Sequence, residues 1–224
     1  LLNLAARAGV RQSVENPWVF YESNCIGTLN MLELCRKLSI PKFVLSSTSS
    51  LYGAHKVSPF SEDLSTDKPL SPYAASKKAA ESLSFSYHHL YDIDITILRY
   101  FTVYGPAGRP DMSIFRFARW ITEGHSLSVT GDGNQERDFT YVDDVAEGTI
   151  LAMKPLGYEI INLGSDNPIS INQAISKLEN TIGKKADIVF EPTHPADIFA
   201  TWADIDKARK VLGWQPSTSF DSGI

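Results

Sequence analysis

The order in which apolar runs and helical patterns alternate, as far as Arg99, restricts the fold more than any other feature. Leu1–Ala5 and Lys42–Ser46 are short apolar runs of the kind that fill strands buried on both faces, and the segment Asp94–Arg99 ends in a third. Between them lie an amphipathic helical pattern from Pro17 to about Lys37 and a longer one from Pro72 to about Tyr91. The second has Ser71 as N-cap and Pro72 at its first helical position. A β-α-β-α-β order of this kind predicts a parallel sheet with helices on its faces, joined by right-handed crossovers. The chain opens with Leu1 inside an apolar run, so the first strand reads as one entered partway.

Beyond Arg99 the texture changes. Gly105–Pro110 is loop, Met112–Glu123 reads as a helix, and shorter elements follow: strands at Leu127–Thr130, Arg137–Tyr141, Glu159–Asn162 and Asp187–Phe190, and helices at Asp143–Met153, Ile171–Ile182 and Asp204–Leu212. We therefore expect an α/β chain. Residues 1–105 would form part of a doubly wound parallel sheet, with a strand regained from within 136–163. Residues 106–224 would form mainly a smaller α/β lobe.

A net charge of -5 and the absence of any Lys/Arg run argue against nucleic acid as a partner. Charges break every apolar stretch well short of a membrane span, and no signal peptide is evident. Cys25 and Cys35 are too few for a disulfide framework and lack the spacing of a metal site, so the default compartment is a reducing cytoplasm.

Tyr73 and Lys77 stand four residues apart and share a helix face. A phenol with a pKa of about 10 is a poor base at neutral pH, and a nearby ammonium favours the phenolate. The strand Lys42–Ser46 runs into Ser46-Ser47-Thr48-Ser49-Ser50, which supplies hydroxyls at a strand end, where open α/β sheets bind ligands. Tyr, Lys and a hydroxyl so placed make a proton relay suited to oxidising a sugar alcohol.

The combination of a Ser/Thr-rich strand end, Pro72-Tyr73-x-x-Ser76-Lys77 and Leu98-Arg99-Tyr100-Phe101 resembles the extended short-chain dehydrogenases/reductases, and within them the NAD-dependent epimerase/dehydratase family. So do Leu4-Ala5-Ala6-x-Ala8-Gly9-Val10-Arg11 (with Asn3 where a His is usual), Asn24-x-x-Gly27-Thr28-x-Asn30, Arg137-Asp138-Phe139-x-Tyr141-Val142-Asp143-Asp144-Val145 and Ala203-Asp204-x-x-Lys207-Ala208-x-x-x-Leu212-Gly213-Trp214. The resemblance implies a Rossmann-type fold, NAD as cofactor and a nucleotide sugar as substrate. It makes Thr48, Tyr73 and Lys77 the catalytic triad, with Lys77 holding nicotinamide ribose and lowering the Tyr73 pKa. Ala5, Ala6, Ser46 and Phe101 would line the cofactor together with Tyr73 and Lys77. Arg137 would hold the substrate diphosphate, Asp197 would lie near its ribose or diphosphate, and the long helices would form a homodimer.

Dehydratases and decarboxylases of the family carry a carboxylate just after the catalytic hydroxyl, where this chain has Ser49 and Ser50. The run Tyr100–Met112, with Thr102 and Arg109, resembles the UDP-glucuronate 4-epimerases, and implies that Ser49, Ser50, Thr102 and Arg109 hold a sugar carboxylate. Oxidation at C4 of such a sugar gives a β-keto acid prone to lose carbon dioxide, so a firm grip on the carboxylate serves epimerisation. The expected reaction is C4 epimerisation of a UDP-sugar, foremost UDP-glucuronate to UDP-galacturonate, through a 4-keto intermediate. UDP-glucose epimerisation is the alternative. The Gly-rich turn that grips a dinucleotide pyrophosphate does not occur in the sequence, and Gly131-Asp132-Gly133 lacks the third glycine. A catalytically silent fragment that only binds a nucleotide sugar or self-associates is therefore the other alternative.

Overall fold

The computed structural model describes residues 1–55, 58–193 and 199–224. Strand β1 (Leu2–Asn3) leads to helices α1 (Val10–Glu15) and α2 (Trp18–Tyr21), a π-helical turn (Glu22–Ile26) and α3 (Gly27–Lys37). Then come β2 (Lys42–Thr48), a 3-10 turn (Ser49–Tyr52), α4 (Pro72–Tyr91), β3 (Asp94–Tyr100), β4 (Thr102–Tyr104), α5 (Ser113–Glu123) and β5 (Leu127–Thr130). The remainder is β6 (Glu136–Arg137), β7 (Phe139–Tyr141), α6 (Val142–Leu151), β8 (Tyr158–Leu163), β9 (Ile169–Ser170), α7 (Ile171–Ile182), β10 (Ile188–Glu191), α8 (Asp206–Leu212) and α9 (Phe220–Gly223).

The central sheet has the order β1-β2-β3-β8, and all its pairings are parallel. Alternation along the strands sorts side chains onto two faces. Phe43, Leu45, Ile95 and Ile97 pack with Leu32, Cys35 and Ala80 of α3 and α4. Val44, Leu98, Ile161 and Leu163 face the other way, onto Ala152, Ala208, Leu212 and Trp214. Both faces are covered, which is why the strands read as unbroken apolar runs. Full burial of each Leu or Ile contributes roughly 1.5–3 kcal/mol. The fold is the expected doubly wound α/β arrangement. A second core, built on Phe117, Ile121, Leu127, Val129, Ile175 and Leu178, lies in the lobe made by α5, α7 and the β5–β10 pair.

Helix α4 forms because Ser71 Oγ accepts the Ala74 N–H at 3.2 Å and Pro72 takes the first turn. It ends where Asp92 adopts a left-handed conformation. Helix α7 has a full capping box between Ser170 and Gln173 and closes on Gly183 at φ 76°.

Three expectations change. The first strand stops at Asn3 rather than Ala5, because Asn3 Oδ1 accepts the Ala5 N–H at 3.2 Å and turns the chain. The helix expected over 17–37 contains a π turn, which brings Asn24 into the interior at 1% exposure. The strand expected over 137–141 divides at buried Asp138. Its first part pairs with β9 and its second with β4.

Candidate active site

Strand β2 delivers Thr48 to the carboxyl end of the sheet, and the 3-10 turn after it is fixed by Thr48 Oγ1, which accepts the Ser50 N–H at 3.2 Å. Ser49 and Ser50 thus fold back beside Thr48. The turn closes on Gly53 at φ 61°, where a Cβ would meet the Lys68 carbonyl oxygen at 2.7 Å. The first turn of α4 carries Tyr73. Its ring meets Phe20 edge-on at 6.1 Å between centroids.

These residues open onto a cleft of about 700 Å³ between the central sheet and the smaller lobe. Thr48, Ser49, Ser50, Tyr73, Phe101, Thr102, Arg109 and Arg137 all line it. Ala5, Ala6 and Ser46 do not; the two alanines are exposed on the loop leading to Ala8 and Gly9, which do line it, and Ser46 is buried in β2. Lys77 also lies off the cleft wall, sunk to 3% exposure one turn behind Tyr73. Asp197 and His194 lie outside the described residues.

Sequence reasoning assigned no role to Arg11 or to Arg116, which line the cleft as well. Arg11 belongs to a motif already singled out. It donates to Thr130 Oγ1 at 3.0 Å across the cleft mouth. Arg116 stacks over Trp120 at 4.4 Å, a helical i,i+4 pairing that carries no sequence hint of a cleft. Among the described residues the lining holds the four guanidinium groups of Arg11, Arg109, Arg116 and Arg137 against the two carboxylates of Asp111 and Glu191. In a chain of net charge -5, this concentrates positive charge where a ligand would sit.

Burial pushes the Tyr73 phenol above its ordinary range, while hydrogen bonding with Thr48 and the charge of Arg109 act to lower it. The lowering expected from Lys77 is not what the geometry provides. The Lys77 ammonium interacts instead with Glu81, one turn on, and with the Cys25 thiol. Desolvation brings Lys77 down to about 8, against the opposing influence of Glu81 and then Cys25. Arg109 is half exposed and forked onto Asp111, with Nε–H donating to Oδ1 at 3.0 Å. This pairing holds the Asp111 carboxyl below the usual carboxylate range. The fork is thus already shaped to a carboxylate. Arg137 donates through Nη1 to the carbonyl oxygens of Glu136 and Phe199 at 2.7 and 3.2 Å.

Residues of the remaining motifs hold this arrangement together. Asn24 accepts the Arg7 N–H at 2.8 Å and donates to the Arg7 carbonyl and to Ser76 Oγ, both at 2.9 Å. It thereby ties the loop after β1 to the helix between Tyr73 and Lys77. Asp138 accepts backbone N–H groups from Ser165, Asp166 and Ala203, and Asp144 accepts those of Ser217 and Thr218.

Residues 1–164 match the family described as NAD dependent epimerase/dehydratase. The chain belongs to that family. The chain is 61% identical, over its whole length and 69% of the relative's, to a UDP-glucuronate 4-epimerase of Thermodesulfobacterium geofontis. Its fold superposes with a TM-score of 0.94 on the UDP-glucuronic acid 4-epimerase of Bacillus cereus in complex with UDP-glucuronic acid and NAD, at 42% identity, covering 98% of this chain and 71% of that one. A UDP-glucose 4-epimerase of Thermotoga maritima with UDP-glucose superposes with a TM-score of 0.95 at 33% identity, covering 99% and 73%. This family's doubly wound fold is thus shared over almost the whole chain.

Proposed function

We propose that the chain carries the catalytic residues of a C4 epimerase acting on UDP-glucuronate and giving UDP-galacturonate. The observation that carries this reading is a convergence in one cation-rich cleft. A Tyr73–Thr48 relay stands there beside three hydroxyls and a guanidinium, those of Ser49, Ser50, Thr102 and Arg109. The first set suits an alcohol at C4; the second suits a carboxylate one carbon beyond the ring. The UDP-glucuronate 4-epimerases among its relatives point the same way.

The residues present fit the nicotinamide end of NAD. Lys77 is buried beside the relay, and among the described residues its Nζ has no hydrogen-bond acceptor, leaving its donors for ribose hydroxyls. Phe101 offers an apolar wall at the same strand ends. NAD, when bound, supplies the redox capacity by which the C4–H bond is broken and remade. The chain's own residues do the rest. Tyr73 takes the proton from the C4 hydroxyl and later returns one to the same oxygen, and Thr48 steadies the phenolic oxygen between the two events. Lys77 orients the ribose. Arg109 releases Asp111 to take the sugar carboxylate, with Ser49, Ser50 and Thr102 closing around it. Arg137, aided by the positive cleft, holds the diphosphate.

The test is a comparison of substrates. Arg109→Met is expected to lower kcat/KM on UDP-glucuronate by about 10–100-fold, the loss of a hydrogen bond to a charged group, with a much smaller effect on UDP-glucose. Equal losses on both sugars would remove the carboxylate assignment and favour a neutral UDP-sugar.

No helix among the described residues is long and apolar enough to cross a membrane. We place the protein in the cytoplasm, where its buried thiols Cys25 and Cys35 stay reduced. It acts as a homodimer: Trp18, Ile26, Leu34 and Leu38 leave apolar surface along the segment from α2 through the end of α3, and Phe85 and Leu90 do so on α4. Sedimentation velocity should give a dimer, and Trp18→Glu a monomer. A monomeric parent would remove this assignment.

A further inference from the structure

Directly behind the relay lies an ion pair withdrawn almost wholly from water. The Arg99 and Glu81 side chains are 2% and 3% exposed. Arg99 grips the carboxylate with both arms of its fork, Nη2 to Oε2 at 2.8 Å and Nε to Oε1 at 3.1 Å. Oε1 also accepts the Ser47 hydroxyl at 2.6 Å. The remaining arm donates to Tyr52 Oη at 3.1 Å, and Tyr52 donates in turn to Asn162 Oδ1 at 2.6 Å.

Buried ion pairs of this kind are weak contributors to stability, because desolvation offsets most of the attraction. The positions of the partners suggest a different purpose. Glu81 is one helical turn beyond Lys77. Ser47 immediately precedes Thr48. Arg99 stands two residues before Phe101. One carboxylate therefore connects the helix that carries Tyr73 and Lys77 with the two strand ends that complete the site.

We propose that Glu81 and Arg99 are a positioning pair that holds Lys77 and Thr48 in one register for the relay. This rests on the catalytic reading given above, and neither residue touches the substrate. The groups that act on the Lys77 charge are Glu81 from its own helix and Cys25 from the π turn, and Arg99 from β3 stands behind Glu81 as its ion-pair partner. Of these, Glu81 is the main support of the ammonium, and burial opposes it.

The sign follows. Without the Glu81 charge, desolvation acts on Lys77 unopposed and Arg99 becomes an uncompensated like charge, so Lys77 loses its proton at lower pH. Lysine ammonium resonances of the chain, with Lys77 assigned by its loss in Lys77→Met, report this without cofactor or turnover. The parent midpoint should fall at about 8. Glu81→Gln should lower it by about one pH unit, a tenfold change in the ammonium-to-amine ratio. Because that variant leaves Arg99 buried without a counter-charge, the neutral pair Glu81→Gln/Arg99→Met is titrated beside it and should show the same direction of shift. The pH at which the kcat profile levels off should move down with the midpoint.

A Lys77 midpoint unchanged in a folded variant would overturn the proposal. So would loss of the folded state in both, which would make the pair architectural. Full activity in Tyr73→Phe would overturn the catalytic reading and leave this titration untouched.

Discussion

Turnover on UDP-glucuronate is expected to fall by about 10²–10⁴-fold in Tyr73→Phe, the range spanned by loss of a positioned acid/base. The ring stays in place against Phe20, so the thermal transition should barely move. The pH dependence of the parent follows from the same surroundings. Burial keeps Tyr73 a phenol at neutral pH, with Thr48 and Arg109 easing its ionisation, so the rate rises with pH as the phenolate grows. Lys77 gives up its charge as pH passes about 8, and the orientation of ribose is lost with it. Below about 8 the rate should therefore rise with pH, and above it the growth of phenolate and the loss of ammonium offset each other, so the profile should level off at about 8. Near-full turnover in Tyr73→Phe would show that another group moves the C4 proton.

The largest effect on stability is expected at Asp138. Its carboxylate is 0% exposed and accepts three backbone N–H groups, from Ser165, Asp166 and Ala203. Asp138→Ala leaves those donors buried without an acceptor, which should cost about 3–5 kcal/mol and lower Tm by roughly 6–20 °C. Water cannot readily replace the lost carboxylate. Gly164 beside it is packed so closely that a Cβ there would meet Ala203 Cβ at 2.3 Å and Asp138 Oδ2 at 2.9 Å. Asp138→Asn keeps one acceptor oxygen and should lose less. Calorimetry on the two variants decides the point, and equal small losses would mean that the loop after β8 is held by other contacts.

Asp138 also shows where sequence reading reaches its limit. Elements governed by local chemistry were legible: α4 from Ser71 and Pro72, α7 from the helical pattern of Ile171–Ile182, and β2 and β3 from runs buried on both faces. Elements governed by distant partners were not. Nothing local in Arg137–Tyr141 says that its two ends pair with different strands. Nothing in Glu22–Ile26 announces a π turn, which forms because Asn24 reaches Arg7 and Ser76 at the same time. The site divides in the same way. Thr48, Tyr73, Thr102 and Arg109, singled out by the family resemblance, all line the cleft. The depth of Lys77, the cleft-facing Arg116 and the absence of Ala5 and Ala6 from the cleft wall are set by packing between segments far apart in the chain.

The layer that covers one face of the central sheet has a consequence for biosynthesis. Val44 and Leu98, on strands made early, are roofed by Ala208, Leu212 and Trp214, which leave the ribosome long afterwards, and Trp214 Nε1 is held by the Asp144 carbonyl at 2.8 Å. Until those residues emerge, the nascent chain presents a half-covered apolar sheet. Its assembly waits on the most distant contacts in the sequence, the condition that makes folding slow and leaves intermediates prone to stick to one another. Chaperone dependence during synthesis should accordingly be set by residues 203–214, remote from every residue that does chemistry.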